Sequence, residues 1–162
     1  ELISILLMKK MERIGIVGGI ESHVVTQNRL RGYIEAYENA GIAVDKDIIF
    51  VNADRQAMID RAVEKLLAAE VDCIACLDDA VCIQVLNKLR REEVRVPEDM
   101  KVASFYDSSV LDNHMPSITS LSFNVRELGM TACRVLLDMI EGKEVEERTL
   151  MGYEVILKES TK

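Results

Sequence analysis

The chain has 162 residues, 49% of them apolar, with 28 acidic against 20 basic side chains and a formal net charge of -8. A unit of that size can bury roughly 70% of the surface its unfolded chain exposes, so one globular body with its own core is expected. The basic residues are dispersed rather than gathered into a stripe, which argues against these residues gripping a phosphate backbone themselves. No apolar run is long enough to cross a membrane as a helix, so no membrane partner is expected.

The chain opens on Glu1 without an initiating Met, and its apolar residues 2–11 lack the basic leader of a signal peptide. They are expected to be the tail of a helix from a preceding region. Ile14-Gly15-Ile16-Val17-Gly18-Gly19 predicts a strand closed by a tight turn. A helix follows with Ser22 as its N-cap, Leu30, Tyr33, Ile34 and Tyr37 as its apolar stripe and Gly41 as its stop. Residues 48–51 predict a second strand, and Met58, Ile59, Ala62, Val63, Leu66 and Leu67 mark one face of the next helix. Residues 71–77 predict a third strand, followed by a helix striped by Val81, Val85, Leu86 and Leu89. Pro97 disfavours helix at Val96, so that helix must end by about Arg91 to Glu93.

Val102, Ala103, Ser104 and Phe105 then form a short run without alternation, the pattern of a strand covered on both faces. A polar loop is expected over 107–117 and an extended piece over 118–123. Leu128, Ala132, Val135, Leu136, Met139 and Ile140 stripe a last helix that Gly142 ends, and 151–157 read as a closing strand. Four rounds of strand and helix joined by short turns predict an α/β fold, a parallel sheet with helices on both faces and right-handed crossovers. Ligands of such sheets sit beyond the carboxyl ends of the strands, which singles out Asp78, Tyr106 and Asp107.

The chemistry-bearing motifs are sparse. Cys73-Ile-Ala-Cys76 has the spacing of a redox or zinc pair, but residues three apart on a strand face opposite ways. Both are therefore expected in the core, with Cys82 and Cys133 as small core residues of helices and a reducing, cytoplasmic setting for all four. His23 and His114 have no second ligand at metal spacing, so no metal site is expected. Gly15-Ile-Val-Gly18-Gly19 lacks the third glycine of a dinucleotide cradle, and Asp54 lies beyond the ~20-residue offset of a ribose-binding acid. No Ser sits on a nucleophile elbow, so neither cofactor nor catalytic residue is expected. Asp78 can cap the helix it opens and can also face a ligand. Arg29 is either solvated or, if aimed at the carboxyl edge, offers a fork of donors to paired ligand oxygens.

Several segments stand out, in this order along the chain. They are Arg29-Leu-Arg-Gly32-Tyr33 with Ala40-Gly41-Ile42, then Cys76-Leu77-Asp78-Asp79-Ala80, then the run from Arg95-Val-Pro97 to Phe105-Tyr106-Asp107. Pro116-Ser-Ile-Thr119-Ser-Leu follows, and then Leu128-Gly129 with Leu136-Leu137 and Ile140-Glu141-Gly142. Together they resemble the LacI/GalR family of repressors, whose segments read roughly R-x-x-G-F, A-G-I, F-A-N-D-x-M-A, R-V-P-E-D-I-S-V-V-G-F-D-D, P-P-L-T-T-I, L-G, L-L and I-x-G. The resemblance runs from about Met11 to Thr161.

That resemblance implies a periplasmic-binding-protein-like type I core of two similar α/β subdomains around a ligand cleft, here incomplete, with most of the N-terminal subdomain missing. Residues 1–12 would be the tail of an N-terminal-subdomain helix and 13–117 the C-terminal effector-binding subdomain. Residues 118–148 would be the crossover and a helix returning to the N-terminal subdomain, and 149–162 the closing strand and tail. The stripe from Leu128 to Ile140 would then lack its cover, so association, swapping or poor solubility is expected of the chain alone.

Family effector contacts, carried over by position, fall on Arg29, on Asp78 in place of an Asn, and on Tyr106 in place of the first Asp, with Asp107 as the second. Asp54 stands where a stacking aromatic is common, and His23 and Val25 stand at pocket-lining positions. Two acids without an aromatic wall favour a ligand rich in hydroxyl or amino donors. The implied function is effector binding in a transcriptional repressor, without catalysis, cofactor or metal. The implied partners are a sugar-like or other polar effector, operator DNA through a helix-turn-helix headpiece absent from this chain, and a second copy in a homodimer. One rival is a solute receptor of a sugar transporter, against which the cysteines and the missing leader weigh. The other is a small α/β nucleotide-dependent enzyme, which would need a phosphate loop or an acid–base pair.

Overall fold

A computed structural model describes all 162 residues. In chain order its elements are α1 (Leu2–Met8), β1 (Ile14–Val17), α2 (Val24–Ala40), β2 (Ile49–Phe50), α3 (Gln56–Ala68), β3 (Cys73–Cys76) and α4 (Asp79–Arg91). There follow β4 (Lys101–Ser104), α5 (Ser109–Asp112), β5 (Thr119–Ser122), α6 (Val125–Ile140) and β6 (Glu154–Ile156). Contacts divide the chain into a larger unit, Glu1–Leu121 with Val155–Lys162, and a smaller one, Ser122–Glu154.

The strands form one sheet in the order β2-β1-β3-β4-β5-β6. The pairs β1–β2, β1–β3, β3–β4 and β4–β5 are all parallel. Strand alternation assigns each side chain to a layer. Ile14, Ile16, Cys73, Ala75, Ala103 and Phe105 join Leu2, Leu6, Tyr33 and Tyr37 on the face covered by α1 and α2. Val17, Ile74, Cys76 and Val102 join Ile59, Leu66, Val85 and Leu89 on the face covered by α3 and α4. The expected parallel sheet with helices on both faces is present, and Cys73 and Cys76 lie in opposite layers. Successive connections leave β1 and β3 for opposite faces, so the switch point of the topology falls between these neighbouring strands.

Polar groups lock the layers where apolar packing cannot. The Tyr33 hydroxyl donates to the Ile14 carbonyl at 2.9 Å and that of Tyr37 to the Glu12 carbonyl at 3.0 Å, pinning α2 to the start of β1. Burial pushes both phenol pKa values up, so both stay neutral donors. Lys88, almost buried, joins α4 to α3 through Glu64 at 2.7 Å. The Arg95-Val-Pro-Glu-Asp99 turn is held by its own ends, with Arg95 Nε and Nη2 donating to Asp99 at 2.7 and 2.8 Å. This fork lowers the Asp99 pKa to about 2, so its contribution to stability is complete above the ordinary carboxylate range and is lost as pH falls through about 2.

Some expectations need correction. His23, not Ser22, is the N-cap of α2, and no side chain caps it. The stripe of α2 is narrower than its spacing suggested, since Ile34 is exposed while Thr26 and Ala36 are buried. Met58 is likewise exposed because Ile59 and Val63, not Met58, point at the sheet. Cys133 is exposed, not a core residue, because nothing in the smaller unit packs closely enough on α6 to bury any of its residues. The polar loop after β4 contains the short helix α5, whose Leu111 is buried against α4-side core residues.

Gly18 and Gly19 close β1 at φ +106° and +73°, a region that costs L residues strain. A Cβ on Gly18 would also come within 2.9 Å of Val81, at the start of α4. Gly18→Ala is therefore expected to destabilise the fold by about 2–4 kcal/mol, strain and overpacking together. Equilibrium urea unfolding measures it, and a loss below about 0.5 kcal/mol would mean the turn relaxes freely.

Candidate functional site

The carboxyl ends of the strands are brought into line by backbone hydrogen bonds that continue past the ladders. Gly18 N donates to the Phe50 carbonyl, Leu77 N to the Val17 carbonyl and Phe105 N to the Cys76 carbonyl, each at 2.9 Å. Asn52, held at φ +60°, donates its N–H to the Gly19 carbonyl at 2.6 Å and accepts from Glu21 N at 2.9 Å. The loops after β1 and β2 are thus zipped together, and the loops after β3 and β4 are their neighbours.

On this edge the guanidinium of Arg29 reaches from α2 and donates through Nη1 to the Leu77 carbonyl at the end of β3. The side chain is half-buried, and that desolvation pulls its pKa below the ordinary value, with the nearby Asp78 charge opposing the shift. One donor of the fork is used on Leu77, which fixes the plane and direction of the others. Asp78 caps α4, its Oδ1 accepting from Val81 N at 2.8 Å. The cap therefore holds the Asp78 side chain between the end of β3 and the first turn of α4. Asp78→Asn retains a cap acceptor and is expected to change stability by no more than about 0.5 kcal/mol, whereas Asp78→Ala costs about 1 kcal/mol; thermal unfolding separates the two.

Past β4, the buried Ser104 hydroxyl donates to the Tyr106 carbonyl at 2.7 Å and accepts from Tyr106 N at 3.2 Å, which fixes the backbone that presents Tyr106. Asp107 does not stand as a bare acid. Its Oδ1 accepts from Ser120 Oγ at 2.7 Å and from Lys158 Nζ at 2.9 Å. The expectation of two acids favouring hydroxyl or amino donors therefore has to be redrawn, because one acid already has its countercharge. His23 and Val25 are exposed at the start of α2, and Asp54 is exposed beyond β2, two strands away from β3. The structure thus gathers Arg29, Asp78, Tyr106 and Asp107 at the ends of β3 and β4, and leaves Asp54, His23 and Val25 as an outer rim.

Three residues were not legible as part of this edge: Lys158, Ser120 and Asn52. Asn52 follows a strand and tolerates the left-handed region, a usable local signal. Lys158 and Ser120 meet Asp107 across 51 and 13 positions, and spacing carries no such information. A separate cavity of about 440 Å³, lined by Leu86, Arg90, Val94, Val96 and His114 among others, opens at the opposite, amino edge of the sheet and includes none of the expected site residues.

Polar side chains collected past the carboxyl edge of an open parallel sheet, at β3 and β4 beside the switch point, stand where sheets of this class hold small molecules. A family model described as a periplasmic binding protein-like domain matches residues 3–161. The chain belongs to this family. It is 28% identical over 152 residues to the HTH-type transcriptional repressor PurR of Aliivibrio fischeri, covering 91% of this chain and 45% of that protein. It is also 28% identical over 154 residues to the HTH-type transcriptional repressor CytR of Escherichia coli K12, covering 93% and 45%.

Among solved structures, the transcription regulator CcpA of Lactococcus lactis superposes with a TM-score of 0.89 at 25% identity, covering 99% of this chain and 59% of that one. The transcriptional regulator CelR in complex with cellobiose superposes at 0.86 with 29% identity, covering 98% and 49%. The chain thus spans about half the length of the curated relatives it matches. No helix of the structure is long and apolar enough to cross a membrane.

Proposed function

We propose that this chain is the effector-binding region of a LacI/GalR-type transcriptional repressor, and that its effector docks on the carboxyl edge formed by Arg29, Asp78, Tyr106 and Asp107. The observation that carries this reading is the aim of Arg29. A half-buried cation fixed on the Leu77 carbonyl, with donors left over, costs desolvation free energy that an oxygen-rich ligand offsets. The edge is one wall of a cleft. The second wall is the N-terminal subdomain of the longer protein, which closes over the ligand and biases a homodimer between operator-binding and operator-releasing states. Operator DNA is contacted by a helix-turn-helix headpiece outside these residues, and no catalysis is involved. The outer rim of His23, Val25 and Asp54 adjusts specificity.

A structural relative is described in complex with cellobiose, which makes sugars the first compounds to screen. The test is a thermal-shift screen of mono- and disaccharides and nucleosides on the full-length protein, followed by operator binding with and without each hit. A typical coupling of about 1–3 kcal/mol changes operator affinity about 5- to 150-fold. A compound that binds this edge tightly yet leaves operator affinity unchanged, together with a transporter partner, would instead favour a solute receptor.

A further inference from the structure

The segment that carries Lys158 is woven into the larger unit with unusual density. Lys158 N donates to Thr119 Oγ1 at 2.8 Å, Thr119 N donates to Ser160 Oγ at 2.9 Å, and Ser160 Oγ donates to the Val102 carbonyl at 2.6 Å. Thr119, Ser120, Ser160 and Thr161 are all buried. This network fixes the backbone from which the Lys158 side chain extends to Asp107, Ser120 and, at 3.2 Å, the exposed Asp112. The side chains of Lys158 and Asp107 are only 10% and 20% exposed, so solvent screens the pair weakly while it screens Asp112 well. A buried polar network that delivers a cation to one carboxylate at the end of β4 sets the charge of that end.

We propose that Lys158 is a positioning residue that determines specificity: by pairing with Asp107 it selects ligands presenting neutral hydroxyl or amide donors to the end of β4 over ligands presenting an ammonium group. This rests on the effector site described above. Asp107 Oδ1 already accepts from Ser120 and Lys158, which leaves Oδ2 to accept from a ligand. A hydroxyl donor fits such an oxygen without altering the balance of charge. An ammonium group would be desolvated beside a carboxylate whose charge is already shared, and would face Lys158.

The test uses the full-length protein with Lys158→Met, Lys158→Arg, Asp107→Asn and the Lys158→Met/Asp107→Asn pair. Without ligand, each charge-removing single variant should unfold at a lower temperature and the double variant should recover part of the loss; additive losses would show that the pair does not exist and overturn the proposal. With ligand, glucose and galactose are compared with glucosamine and galactosamine by calorimetric titration. The native protein and Lys158→Arg should favour the neutral sugars, and Lys158→Met should shift relative affinity toward the amino sugars about tenfold or more. Unchanged selectivity in Lys158→Met, with the coupling present and sugars bound, assigns the pair a structural role and overturns the specificity claim alone. Coupling present with none of the four sugars bound by any variant rejects this edge as a sugar site, and with it the selectivity built on it.

Discussion

Replacing Arg29 with Ala is expected to abolish the thermal shift that the best sugar of the screen gives the full-length protein, with affinity falling at least about a hundredfold, or roughly 3 kcal/mol. The size follows from the donors still free on the guanidinium. Two charge-assisted hydrogen bonds to ligand oxygens contribute about 1.5–3 kcal/mol each, and truncation also leaves those oxygens unpaired in a cleft. The fold should suffer far less, because only one bond, to the Leu77 carbonyl, is internal. Its loss costs on the order of 1 kcal/mol, a drop of about 2–4 °C in the ligand-free midpoint. Arg29→Lys keeps the charge but loses the planar fork, and should recover only part of the binding. Affinity unchanged in Arg29→Ala would remove Arg29 from the site and, with it, the main support for the carboxyl-edge reading.

The second large effect concerns α6. None of its residues is buried, and Leu136, Leu137, Met139 and Ile140 are 56%, 59%, 57% and 73% exposed. Within the smaller unit the helix is well begun, with Asn124 Oδ1 accepting from Glu127 N at 3.0 Å, and well ended, with Gly142 at φ +75°. What it lacks is enough to lie against, since Glu146, Glu147, Thr149 and Met151 border one face without burying any residue of it. Each fully covered Leu or Met is worth about 1.5–3 kcal/mol, so a helix with this many open positions gathers other apolar surface whenever it can. The 162 residues made alone are expected to elute above their monomer mass of 18.2 kDa, and Leu136→Glu with Met139→Glu to restore a monomer by light scattering. In the full-length protein the same two changes should cost stability, about 2–5 kcal/mol together, if the proposed N-terminal subdomain covers this face. A clean monomer of the isolated native chain at high concentration would show that α6 needs no cover.

Much of the architecture was readable because local and global signals agree in this chain. The runs at Ile14, Cys73 and Val102 are apolar without alternation because helices cover both sides of each strand, and the structure shows those two layers. α4 ends at Arg91, within the range expected ahead of Pro97, with Glu93 at φ +58° and Val94 N donating back to the Leu89 carbonyl, and Gly41 ends α2 in the left-handed region. Failures cluster where tertiary contacts override spacing. Ser22 has the better cap chemistry, yet the loops zipped by Asn52 and Glu21 start the helix one residue later. Cys133 and the α6 stripe look like core by period, and period says nothing about whether a partner surface is present. At the site, Asp78, Tyr106 and Asp107 could be placed on one edge by strand ends alone, whereas spacing leaves Arg29, on α2, between solvent and that edge, and its bond to the Leu77 carbonyl decides it. The neutralisation of Asp107 could not, since its partner arrives on a segment 51 positions away.

That distant segment has a consequence for how the protein is made. Residues 155–162 return to the larger unit after the smaller one has been traversed, and there Ser160 and Thr161 fill buried positions against Val102 and Thr119. Until they arrive, the N–H of Thr119 and the carbonyl of Val102 have lost the partner they keep in the finished structure, and the Asp107 carboxylate has no cation. A chain emerging from the ribosome at about 5–20 residues per second can assemble β1 to β4 with their helices early, but it cannot finish that body until the intervening helix has been synthesised. The order of synthesis thus leaves the larger unit open along β4 and β5 through the whole passage of α6.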